Sequence, residues 1–174
     1  MIDRGKLLGL DVGLARIGVA VCDPLRLAAR PLTVITRRSR NEDFAVLAAL
    51  VADEEAVAVV CGLPLTVSTD AYGEVEGAQA RTTRKWAERL AHALRALLGR
   101  PVPVIFWDER FSTFAAQQIL ADRPPSKRQP VGEDAAAAAV ILQSYVDAQA
   151  RGDTSDFGRI ELPPRGTSSD EEHD

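Results

Sequence analysis

Three places along this sequence put acidic side chains where chemistry needs them. Asp11 follows the short apolar run Lys6–Leu10 and precedes Val12-Gly13. A carboxylate just past an apolar strand is costly unless it is paired or bound to a cation. Its plainer reading is a turn-initiating Asp, common before Gly. Asp108-Glu109 occupies the same kind of place, at the end of the apolar run Val102–Trp107. Ligands of open α/β sheets bind beyond such strand ends. The plainer reading there is a surface loop salt-bridged by Arg110. Asp134 opens a helix that begins Ala135–Ala139, where it would serve at least as a cap. Those small residues let the helix approach a sheet closely, which would carry Asp134 towards Asp11. Carboxylates converging without His or Cys suit hard cations, Mg²⁺ or Mn²⁺. Two such ions can activate water and stabilise the leaving oxygen of a phosphodiester.

Other chemistries fit poorly. The histidines are His92, within a helix, and His173, near the C-terminus. A Ser-His-Asp or Cys-His nucleophile therefore fits poorly, and zinc spacing of the Cys/His type is absent. Gly13 to Gly18 has phosphate-loop spacing, but Val19-Ala20 stands where Lys-Ser/Thr would be required. Cys22 and Cys61 lie in apolar runs and read as reduced, buried hydrophobes.

The elements that must position these residues follow from periodicity and punctuation. Lys6–Leu10, Ile17–Cys22 and Pro31–Thr36 read as three strands of an antiparallel meander. Asn41 is the expected N-cap of a helix over about 42–54, carried by Phe44, Leu47, Leu50 and Val51. Val57–Cys61 reads as a strand buried on both faces, stopped at Gly62-Leu63-Pro64. A polar loop is expected over 65–75, then a long helix over about 76–98 ended by Gly99-Arg100-Pro101. Val102–Trp107 is the fifth strand. Ser112 or Thr113 would cap a helix to about Ala121, a Pro-rich loop covers 122–133, and a last helix runs from Asp134 to about Ala150.

The order βββαβαβαα gives an α/β fold. Its mixed five-stranded sheet has three antiparallel strands, then parallel crossovers, with helices on both faces. Residues 1–150 form one domain, and 151–174 read as a disordered acidic tail.

These segments together resemble the YqgF/RuvX family of Holliday junction resolvases, also called pre-16S rRNA nucleases, of the RNase H-like superfamily. The matching residues are Gly9-Leu10-Asp11-Val12-Gly13 with Ala15–Ala20, Gly62–Leu65, Asp108–Thr113, and Asp134–Ala137 with Ile141–Tyr145. They span about residues 6–148, in the family's order and spacing. The resemblance implies an RNase H-like fold and a metal-dependent nuclease acting on structured RNA or branched DNA. Its catalytic acids fall on Asp11, Glu109 and Asp134, with Asp108 as a neighbouring metal ligand. Asp11 would bridge two metals, Glu109 and Asp134 would each bind one, and water would attack the phosphate. Arg16 matches the family's arginine and is expected at a backbone phosphate. Junction cutting would further call for a homodimer.

Further phosphate contacts are expected from Arg81, Arg84, Lys85 and Arg89, a helical stripe, and from Arg110. Arg37, Arg38 and Arg40 form a second cluster, and Arg123, Lys127 and Arg128 a third. A solvated face explains each equally well. Two other functions remain open. One is a non-catalytic nucleic-acid or ribosome-associated module on the same fold. The other is an actin-like ATP-binding protein, which would need a second domain.

Composition agrees with one domain of this kind. The chain has 174 residues and a net charge of −4, with 46% hydrophobic and 26% charged side chains. No apolar run is long enough for a membrane span and no signal-peptide core opens the chain, so a cytoplasmic, membrane-free protein is expected. The acidic balance counts against nucleic acid only until it is divided. Residues 151–174 carry seven acidic and three basic side chains, which accounts for the entire net charge and leaves residues 1–150 neutral.

Overall fold

The computed structural model describes residues 2–65, 67–70, 73–111, 118, 121, 132–153 and 155–166. Three consecutive strands, β1 (Leu7–Val12), β2 (Arg16–Cys22) and β3 (Ala29–Thr36), form the expected antiparallel meander. Helix α1 (Arg40–Glu54) leads to β4 (Ala58–Leu63), which pairs parallel to β1. Helix α2 (Ala78–Leu98) leads to β7 (Val104–Asp108), parallel to β4. A 3-10 turn, Glu109–Phe111, follows β7, and helix α3 (Glu133–Ala150) comes later. With a last short strand, β8 (Arg159–Ile160), the sheet order is β3-β2-β1-β4-β7-β8.

Strand alternation sorts the two cores. Leu8, Leu10, Val19, Val59, Cys61 and Phe106 face α1 and α2, where Phe44, Leu47, Trp86 and Leu90 meet them. Leu7, Ala20, Val60, Ile105 and Trp107 face α3, where Ala138, Leu142 and Tyr145 meet them. Helices thus cover both faces, as expected of a sheet whose central strands are apolar throughout.

Three expectations are corrected. The sheet has six strands, because β8 (Arg159–Ile160) pairs antiparallel to β7. Phe157 packs its ring 5.9 Å from Trp107 and its amide donates to the Phe106 carbonyl, while the Phe106 amide donates to the Gly158 carbonyl. A Gly/Pro/Ser-rich, acidic composition concealed one aromatic anchor and a two-residue strand. Second, the stretch expected as a polar loop holds a hairpin, β5 (Val67–Asp70) with β6 (Gly73–Glu76). The β-branched Val67, Thr69 and Val75 carry that preference within a polar context. Third, Ser39 rather than Asn41 caps α1. Its hydroxyl accepts from the Glu42 amide, and the Glu42 carboxylate accepts from the Ser39 amide.

The helix expected over 112–121 lies outside the described residues apart from positions 118 and 121, and the loop over 122–131, with Arg123, Lys127 and Arg128, lies wholly outside them. Among the described residues, no helix is long and apolar enough to cross a membrane. Both cysteines are buried and free.

Candidate active site

Asp11 lies near the end of β1 and pairs with Gly18 on β2. By alternation it faces α3, along with Leu7 and Gly9. Glu109 begins the turn after β7, so β4 lies between it and Asp11. Gly62 on β4 opens the path. A Cβ there would stand 3.1 Å from both Cγ and Oε1 of Glu109, so the glutamate crosses the sheet over the glycine. It reaches Asp11 and hydrogen-bonds to it.

Two carboxyl groups can make that bond only by sharing a proton. Burial, then the charge of Asp11, pushes Glu109 up to about 7. Burial, then the charge of Asp134, raises Asp11, while the hydrogen bond from Glu109 lowers it. Glu109 is therefore the proton carrier and Asp11 the acceptor. Beneath them the Cys61 thiol is pushed up to about 12, by burial first and then by the two acids. It stays protonated and inert.

Asp134 arrives from the opposite side. It sits in the first turn of α3, whose N-cap is Gly132. A Cβ at Gly18 would stand 1.8 Å from the Asp134 carbonyl oxygen. The helix start thus rests on the residue paired with Asp11. Its carboxylate Oδ2 accepts from Arg16 Nε at 2.7 Å. Among the described residues, no three His, Cys, Asp or Glu side chains already stand in metal-holding geometry. The three expected acids share one corner of the sheet: two touch, and the third is held by Arg16.

Asp108 does not join them. It continues the Val104–Phe106 face towards the α1/α2 core and is 0% exposed. Arg110 holds it through Nε and Nη2, the latter at 2.7 Å, and through its own amide at 2.8 Å. The salt-bridged reading of Asp108 and Arg110 is the one the geometry favours.

The helical basic stripe divides. Arg81 and Lys85 are exposed on α2. Arg84 turns inward, donating to the Glu76 carboxylate and the Phe157 carbonyl, with its guanidinium 4.8 Å from the Phe106 ring. Arg37, from the second cluster, donates to the Gly13 carbonyl at 2.7 Å, and its amide donates to Ala15. It therefore fixes the turn after Asp11. Sequence reasoning missed the spacer role of Gly18 and Gly62; a glycine inside each of two apolar strands was the available signal.

Comparison with known proteins gives the family. Residues 5–148 match the family model described as "RuvX: Holliday junction resolvase". The chain belongs to the RuvX family. A relative from Anaeromyxobacter sp. (strain Fw109-5), named "Putative pre-16S rRNA nuclease", is 43% identical over 145 residues, covering 83% of this chain and 98% of that protein. One of the same name from Syntrophus aciditrophicus (strain SB) is 41% identical over 145 residues, covering 82% and 89%. Among solved structures, "T. thermophilus RuvC in complex with Holliday junction substrate" superposes with a TM-score of 0.58 at 17% identity, covering 88% of this chain and 99% of that one. A second RuvC structure from Thermus thermophilus gives 0.52 at 17% identity. These likenesses give the RuvX chain an RNase H-like fold. The sixth strand, β8, lies beyond the residues 5–148 that match the family.

Proposed function

We propose that this RuvX chain hydrolyses phosphodiester bonds of nucleic acid, using divalent cations, Mg²⁺ or Mn²⁺, held by Asp11, Glu109 and Asp134. The observation that carries the reading is the crossing of Glu109 over Gly62, which brings its carboxyl to the side of the sheet where Asp11 lies and Asp134 begins α3. A half-buried acid pair that retains a proton near neutrality is an oxygen-only donor set, suited to exchanging that proton for a hard cation. When bound, such a cation supplies positive charge at the phosphate and lowers the pKa of water.

The chain's own residues then have definite tasks. Glu109 would hold the cation from the turn after β7, Asp11, fixed by its pairing to Gly18, from β1, and Asp134 from the start of α3. Arg16, Arg81 and Lys85 offer charge to flanking phosphates, positioning a strand without reading its sequence. Arg84 and Arg110 are committed to Glu76 and Asp108, and they support the site from behind.

The names of the relatives give two substrates, precursor 16S rRNA and the Holliday junction. The wild-type protein and Asp11→Asn, assayed on both with Mg²⁺ or Mn²⁺, test the reading. Cleavage by wild type and its loss in Asp11→Asn support it. Equal cleavage by both proteins would sink the mechanism. Paired cuts by a homodimer would favour the junction, and cutting by a strict monomer would favour RNA. The engagement of Asp134 by Arg16 favours a second reading, a non-catalytic nucleic-acid module, which predicts binding to either substrate without cutting.

A further inference from the structure

We propose that Arg16 is a positioning residue that holds the Asp134 carboxylate away from the Asp11–Glu109 pair until a substrate phosphate takes the guanidinium. This rests on the metal-dependent reading above and adds an order of events to it.

The backbone on both sides is fixed. The Asp134 carbonyl lies over Gly18, within a distance that leaves no room for a Cβ. Arg16 pairs with Thr36, and its carbonyl accepts from the Gly13 amide at 2.9 Å. Only the two side chains are left to rearrange. They meet at 2.7 Å, in a pair whose arginine is 60% and whose aspartate is 36% exposed. An ion pair so open to water is exchanged easily. Glu109, by contrast, reaches the Asp11 face of the sheet over Gly62 on β4.

Arg16 and a cation therefore compete for one carboxylate. A phosphate relieves the competition, because the guanidinium fork takes phosphate oxygens at least as well as a carboxylate. The exchange brings a phosphate to Arg16 and frees Asp134 for the site in the same motion. Substrate and cation then strengthen one another's binding, as linkage requires.

Binding of Mn²⁺ to the full chain, read from the electron paramagnetic resonance of the free ion, separates the alternatives. Arg16→Gln should bind Mn²⁺ more tightly than wild type, by up to about fivefold, the worth of one exposed ion pair. The gain should vanish in Asp134→Asn, where there is no carboxylate to release. Arg16→Lys, which keeps the charge, should lie between, and thermal melts confirm that each variant is folded. Dimethyl phosphate, a minimal phosphodiester anion, should tighten Mn²⁺ binding to wild type more than to Arg16→Gln. Unchanged affinity in Arg16→Gln, a gain that survives in Asp134→Asn, or an equal response to dimethyl phosphate would overturn the proposal while leaving the metal site standing. Absence of Mn²⁺ binding in wild type and Arg16→Gln alike would overturn the metal site itself, and this proposal with it.

Discussion

Gly18 carries the start of α3: a Cβ on it would lie 1.8 Å from the carbonyl oxygen of Asp134 and 2.3 Å from the carbonyl carbon. Main chain cannot yield as a side-chain tip can. Gly18→Ala must therefore lift the helix start off the sheet and carry Asp134 away from Asp11. We expect a stability loss of at least about 1–3 kcal/mol by urea denaturation, together with loss of cleavage.

Gly62→Ala should behave differently. The atoms in its way are the tip of Ile141, at 2.7 Å, and the Glu109 side chain, at 3.1 Å. Both can move, so a cost of only about 1–2 kcal/mol is expected. Glu109 would still lose its path to Asp11. Denaturation and Mn²⁺ binding measured on the same preparation should show a mild stability change beside a large loss of affinity.

Much of this corner was legible before the fold was known. Asp11, Glu109 and Asp134 each stood beside a recognisable strand end or helix start, and the apolar runs placed β1, β4 and β7 correctly. Asp108 misled because it is adjacent to Glu109 in sequence. Strand alternation sends it to the other face of the sheet, where Arg110 neutralises it. Arg84 misled similarly, since helical spacing reports a shared stripe but not whether Glu76 and Phe157 wait beneath it. The β8 strand was hidden because an edge strand of two residues has almost no pattern to read. What anchors it is Phe157 against Trp107, a contact between residues 50 apart in the chain.

The shared proton gives the metal-free protein a definite pH dependence. Glu109 is raised from 4.5 to about 7 in the folded state, so between those values the folded chain holds a proton that the unfolded chain has released. This group's stability contribution is fully present below about 4.5 and is lost as pH rises through about 7. Mn²⁺ or Mg²⁺ replaces the proton, so the rise in Tm on adding either ion should be larger at pH 8 than at pH 5.5. Glu109→Gln should flatten the difference. An equal rise at both pH values in wild type would contradict the proton assignment.

Arg110→Ala would leave the buried Asp108 carboxylate with the residue 110 amide as its described partner. A loss of about 1–3 kcal/mol is expected, the cost of an under-satisfied buried acceptor. Because Asp108 faces away from Asp11, Asp108→Asn should leave Mn²⁺ affinity near wild type. A loss of affinity as large as that of Glu109→Gln would restore Asp108 as a ligand.

The C-terminal strand is expected to be a stabilising edge. Phe157→Ala should cost about 1–3 kcal/mol in chemical denaturation, from the apolar surface it covers on Trp107. Ending the chain after residue 150 should lower Tm further, since it also strips the β7 edge and the Phe157 carbonyl that Arg84 binds. Unchanged stability in both variants would show the strand to be dispensable.

The central claim is that Asp11, Glu109 and Asp134 make one cation site. Anomalous X-ray scattering from a crystal grown with Mn²⁺ measures this most directly. The account predicts manganese density within ligand distance of Asp11 and Glu109 oxygens, with Asp134 released from Arg16 when a nucleic-acid phosphate is also bound. Manganese lodged elsewhere, with the Asp11–Glu109 hydrogen bond intact, would contradict it.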